Sequence, residues 1–138
     1  MIQKILFPKN THNTATSLAL LVLRIAFAGM LITHGWGKLT NFEATVQNFS
    51  AMGGLIAAVL VVFAEVFCAF GIIAGLLYRL ALIPAIITMS VAFFVAHGGK
   101  LVGEGNGELS FLYLMAFVVL MFTGSGKYAL DNFFAKKK

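Results

Sequence analysis

Cysteine is nearly absent from this sequence: Cys68 stands alone. One thiol can neither close an internal disulfide nor run a dithiol exchange, so a self-contained Cys-x-x-Cys oxidoreductase is excluded. Charge is also scarce, at 11% of residues, and only five Asp and Glu stand against ten Lys and Arg. A chain that is 60% hydrophobic does not have the polar surface of a soluble domain. This is the composition of an integral membrane protein, and 138 residues allow one domain, 1–138, with about four spans of roughly 20 residues each. The net charge of +5 would raise nucleic acid as a partner for a soluble protein. No basic surface interleaved with aromatics exists here, so the expected partner is the lipid bilayer and not nucleic acid.

What the sequence does have is long apolar runs. The spacing predicts transmembrane helices over about 16–37, 55–77, 80–98 and 108–124, the first of them "ATSLALLVLRIAFAGMLITHGW". Thr16 or Ser17 can cap its start. A cleaved signal peptide is the rival reading, but the run is longer than a signal core and Arg24 interrupts it, so the helix is expected to stay. Between the first two spans, Phe42, Val46, Phe49 and Met52 recur on one helical face and predict a short interfacial helix over about 41–51. "YR" at 78–79 makes a tight connection, and Pro84 lies near the start of the third span, where a missing amide hydrogen is tolerated. "GIIAG" at 71–75 reads as close helix packing. The expected fold class is all-α: an integral membrane four-helix antiparallel bundle with a short interfacial helix between helices one and two.

The cations set the expected orientation. Lys4, Lys9, Arg79, Lys127, Lys136, Lys137 and Lys138 fall on one side and only Lys38 and Lys100 on the other, which places both termini in the cytoplasm.

Charges inside the spans cost about 2.5–3.5 kcal/mol each on insertion scales, so each asks for a partner or a polar cavity. Counted from the helix ends at 1.5 Å per residue, Arg24 and Glu65 come to similar depths, which predicts a structural ion pair between them, direct or through water. A second group gathers near the outer surface. His34 and His97 end two outward helices at the same height, Glu108 starts the inward one, and Trp36, Lys38 and Asn106 fall close by. Two imidazoles and a carboxylate at one depth suit ligand binding or proton handling. Trp36 and Lys38 alone would equally suit an aromatic belt and a snorkelling cation. No local metal motif is present, and no metal is expected.

The order "LRIAFAGMLITHGWGKL", "FAEVFCAFGIIAGLLYRLA", "VAHGG" and "NGELSFLYL", closed by "GSGKYALD", resembles the DoxX family. The resemblance runs from about residue 18 to 131 and is specific in order and spacing. It implies a small bacterial inner-membrane protein of four helices, with Arg24, His34, Gly35, Lys38, Glu65, Arg79, His97 and Glu108 as characteristic polar residues. The family is linked to thiosulfate:quinone oxidoreductase and to oxidative stress, thiol, and quinone or catechol metabolism. This chain has no dithiol for direct thiol chemistry.

Two functional readings follow. In the first, a redox-linked membrane protein binds a quinone or similar small aromatic in an outward-facing polar pocket, its ring among Trp36, Phe93, Phe94 and Phe111 and its oxygens at His34, His97 and Lys38. Glu65 and Glu108 would then take or supply protons. In the second, the chain is a non-catalytic accessory subunit or scaffold of a membrane complex, with a membrane or redox protein as partner. Four short helices make a transport pathway only if the protein oligomerises, and the sequence leaves open both a homo-oligomer and whether the chain is itself an enzyme.

Overall fold

The first apolar run becomes a helix because Asn13 caps it: its side-chain oxygen accepts the Thr16 amide at 2.8 Å. Neither Thr16 nor Ser17 is the cap; Ser17 is fully buried, and its hydroxyl accepts the Lys127 amide at 3.2 Å. The computed structural model describes residues 12–135, and every regular element among those residues is a helix, with no strand. Lys4, Lys9 and Lys136 to Lys138, which carry much of the charge asymmetry, lie outside the described residues.

Helix α1 (Thr14–Thr40) is followed by α2 (Phe42–Asn48) and a 3-10 turn at Ser50–Met52. Then come α3 (Leu55–Ala74), α4 (Tyr78–Ala96), α5 (Glu108–Thr123) and α6 (Leu130–Ala135). Three of these, α1, α3 and α4, are long and apolar enough to cross a membrane. Helix α5 is apolar but has 16 residues, about 24 Å of rise. Two segments are wound wider than an α-helix: Phe63–Cys68 in α3 and Ala92–Ala96 at the end of α4 are π-helical. Pro84 lies deeper than the sequence suggested, because α4 starts at Tyr78 and not at Leu80.

Side chains from α1, α3, α4 and α5 share one core, built around Leu20, Leu31, Ile72, Leu82, Phe117 and Leu120. The outer faces stay apolar, with Phe63, Phe67, Phe70, Phe94 and Phe122 exposed, as contact with hydrocarbon requires. Both described ends meet at one end of the bundle, where His12 Nε2 lies 2.7 Å from the Thr123 carbonyl. We call this the termini end and the opposite one, carrying residues 41–54 and 97–107, the loop end.

At the termini end the expected Arg24–Glu65 pair does not form. Arg24 is 1% exposed and spends its guanidinium on carbonyls: Nε donates to Ile72 at 3.0 Å, Nη2 to Ile73 at 2.6 Å and to Tyr128 at 3.1 Å, and Nη1 to Ser125. Its charge also lies 5.7 Å from the centre of the Tyr78 ring. The depth count failed because close packing, not the helix ends, sets the register of α1 on α3. Gly35 is the residue that faces Glu65, and Arg24 lies eleven positions earlier, about 16 Å away along the helix.

Asp131 completes this end. It is 4% exposed, and its two carboxylate oxygens accept the amides of Leu77 at 2.8 Å and Tyr78 at 2.9 Å, capping α4. Leu77 sits at φ 45°, a left-handed conformation costly for a branched side chain, and the Asp131 bond holds it there. Gly75 ends α3 at φ +68°, and a Cβ there would stand 2.5 Å from that of Ala129.

Replacing Arg24 with Leu should therefore remove the guanidinium from four carbonyls at once, of which Ile72 keeps the Gly75 amide at 3.2 Å, and lower stability by about 3 kcal/mol or more, with Arg24→Lys intermediate. Gly75→Ala should also destabilise, whereas Gly37→Ala, at a helical site where a Cβ meets nothing, should be neutral or gain up to about 1 kcal/mol. Thermal unfolding of the purified variants in detergent checks the ranking, and an Arg24→Leu protein as stable as the parent would contradict it.

Candidate functional site

At the loop end, α1 and α3 touch backbone to backbone through Gly35. A Cβ at this position would lie 2.7 Å from Glu65 Cβ and 3.0 Å from the Glu65 carbonyl carbon, so only glycine permits the approach. Lys38 is one turn beyond Gly35 on the same helix. Its ammonium therefore descends onto Glu65 and forms an ion pair through Oε2, in the last turn of a helix that runs past the expected end at 37. Glu65 is 3% exposed and lies in the π-helical segment of α3. No hydrogen bond reaches its other oxygen, Oε1, among the described residues. Thr45 of α2 donates its hydroxyl to the Lys38 and Asn41 carbonyls, both at 3.0 Å, and so fastens α2 to the end of α1.

The second wall comes from α4 and α5. The π-helical end of α4 delivers His97, whose Nδ1 lies 2.9 Å from the Gly105 carbonyl. A carbonyl only accepts, so Nδ1 carries the hydrogen and Nε2 of the neutral ring is an acceptor. Gly107 allows the two helices to close, because a Cβ there would stand 2.8 Å from the Phe93 ring and 2.9 Å from His97 Cβ. From α5 comes Tyr113, 2% exposed, its ring edge-on to Phe27 and His34 at 5.8 and 6.2 Å and stacked on Phe117 at 6.0 Å. The Tyr113 hydroxyl is buried and has no hydrogen-bond partner among the described residues.

These walls enclose a cavity of about 410 Å³ lined by His34, Lys38, Glu65, His97, Asn106, Ser110 and Tyr113 among others. Of the residues singled out in the sequence, His34, Lys38, Glu65 and His97 meet here, and Glu65 meets Lys38 instead of Arg24. Trp36 and Glu108 do not. Trp36 is 55% exposed on the outer face of α1. Glu108 is exposed because the inward face of α5 runs Gly107, Ser110, Tyr113, Phe117 and Leu120, and Glu108 shares the opposite phase with Leu112, Met115 and Val119. Among the expected ring neighbours, Phe93 and Phe111 pack against each other at 5.2 Å behind the cavity wall, and Phe94 is exposed. No three His, Cys, Asp or Glu side chains come together among the described residues in a way that could hold a metal ion.

Tyr113 and Ser110 were missed in the sequence. The signal was the three-residue spacing from Gly107, which marks one face of the helix.

The chain is similar to known proteins over most of its length. The DoxX family profile matches residues 19–98. "Inner membrane protein YqjF" of Escherichia coli is 36% identical over 124 residues, covering 85% of this chain and 92% of that protein. "Putative oxidoreductase CatD" of Bacillus subtilis is 31% identical over 134 residues, covering 91% and 94%. "Inner membrane protein YphA" of Escherichia coli is 30% identical over 128 residues, covering 86% and 91%. No solved structure matches at a significant level.

The ion pair can be weighed by a double-mutant cycle. Lys38→Met leaves a buried carboxylate without its counter-charge and should cost about 3 kcal/mol, whereas Lys38→Met with Glu65→Leu should recover most of it. Losses in Lys38→Met and Glu65→Leu that simply add up to that of the double variant, measured by thermal unfolding, would show that the pair contributes nothing.

Proposed function

Since the chain belongs to the DoxX family of bacterial inner-membrane proteins, we propose that it is a redox-linked member that binds a quinone or a similar small aromatic in the loop-end cavity. The observation that carries this reading is the concentration of polar groups around one space. An ion pair, two histidines and an unpartnered tyrosine hydroxyl line about 410 Å³, within the range of roughly 300–1,000 Å³ typical of small-ligand pockets. A relative named "Putative oxidoreductase CatD" agrees with redox chemistry. The ring would lie against Tyr113, with its oxygens at Lys38 and His34, and at His97 where the oxygen carries a hydrogen.

In the membrane the protein forms a four-helix antiparallel bundle as one domain, with α5 as the fourth span and α2 lying at the interface. Both termini face the cytoplasm, and the cavity opens toward the outer side. The distribution of Lys and Arg supports this orientation. Val102 is 84% exposed in the loop between α4 and α5, and the native Cys68 is buried. In intact cells permeable to the probe only as far as the periplasm, Val102→Cys should react with a membrane-impermeant maleimide and Ser125→Cys should not; the reverse pattern would invert the topology.

The ligand reading is tested by extracting purified protein for bound quinone and by titrating it with ubiquinone and menaquinone analogues. Saturable binding in the micromolar range, weakened about tenfold or more in His97→Ala, is the expected result. Absence of both extracted quinone and histidine-dependent binding, with a defined protein partner co-purifying, would instead identify an accessory subunit.

A further inference from the structure

The cavity lining offers donors, from Lys38 and Tyr113, and also acceptors that no described residue meets. Glu65, in its ion pair with Lys38, is an acceptor only, and Oε1 has no donor among the described residues. His97 spends its N–H on the Gly105 carbonyl, so Nε2 is a second acceptor. A ligand atom that is itself only an acceptor makes no bond with either of them, and one that carries a hydrogen does.

A quinone carries carbonyl oxygens and no hydrogen to give. A ring with a free hydroxyl does: the same oxygen donates its hydrogen to Glu65 and accepts from Lys38, which has two N–H groups beyond the one facing Glu65. The hydroxyl of Tyr113 supplies a further donor on the same lining.

From these open acceptors we infer that the cavity selects the reduced, hydroxyl-bearing form of its aromatic ligand, a hydroquinone or phenol, and that Glu65 is the residue that reads the hydroxyl hydrogen. The inference rests on the proposed occupation of this cavity by a small aromatic, and deepens it. Recognition here makes and breaks no covalent bond. Tyr113 and Lys38 hold the oxygen and would act alike on oxidised, reduced or capped rings, so selectivity lies with the acceptor.

The test uses the full chain in detergent and two probes with the same ring and oxygens: hydroquinone, kept anaerobic, and its dimethyl ether, in which methyl groups replace both hydroxyl hydrogens. Calorimetric titration should give hydroquinone at least about tenfold tighter binding than the diether, and Glu65→Leu should shrink that ratio to about threefold or less. Tyr113→Phe, which keeps the ring packed on Phe27 and Phe117, should weaken both probes by a similar factor and leave the ratio standing. Equal affinities for the two probes in the parent protein would overturn the inference while leaving the cavity as an aromatic site. A ratio that persists in Glu65→Leu would remove Glu65 from the role. Binding of neither probe would remove the occupation by an aromatic itself. Should Glu65→Leu fail to fold, the parent comparison and the Tyr113→Phe ratio still decide the matter.

Discussion

In hydrocarbon, a backbone carbonyl that loses its helical partner has no water to turn to. This constraint is sharpest where α3 gives way to α4, because three residues reverse the chain between two long apolar helices. Arg24 resolves it from α1. Five N–H donors in a rigid planar fork can serve several carbonyls at once, and here they reach the last turn of α3 and the segment after α5 together. Asp131 does the complementary task for the amides that open α4. One positive and one negative side chain thus meet the unpaired groups of opposite helix ends, and each charge is compensated by backbone dipoles of the right sign. The docking of Gly126 over Ser17 and of Ala129 against Gly75 follows from where these two side chains hold the tail.

The loop end meets the same constraint with a different outcome. Lys38 and Glu65 neutralise each other, but the lysine is 32% exposed at its side chain and the glutamate 4%, so the pair is anchored on one side and open on the other. The rest of the lining mixes polar side chains with apolar ones such as Leu31, Met89 and Ala92. Where the termini end turns its arginine onto four carbonyls and leaves the Tyr78 hydroxyl unpartnered, the loop end leaves an acceptor on Glu65, an acceptor on His97 and the hydroxyl of Tyr113 without partners among the described residues, and there these groups line a cavity.

How much of this could be read in the sequence depends on whether a feature is local. The long apolar runs, the equal heights of His34 and His97 and the place of Lys38 at the end of a span are local counts along single helices, and the structure brings His34, Lys38 and His97 to one cavity. The partner of Glu65 is not local. It depends on the register between two helices, fixed by the contact of Gly35 with the Glu65 backbone, and no count from helix ends reveals that contact. Glu108 illustrates a second failure: depth was right, phase was not, since one residue is about 100° of helix and turns a side chain from cavity to lipid. Asp131 was unreadable because its role depends on a left-handed Leu77 fifty-four positions earlier.

The two π-helical segments tie the fold to the site. One contains Glu65 and the other ends directly before His97, so both cavity acceptors stand where the regular helix is interrupted. Glu65 shares the inward face of α3 with Ala69 and Ile72, four and seven positions on, and in α4 Phe93 is buried while His97, four positions on, bonds to the loop. π-helical turns are rare and often stand at functional sites, so their coincidence with Glu65 and His97 supports the cavity proposed at this end of the molecule.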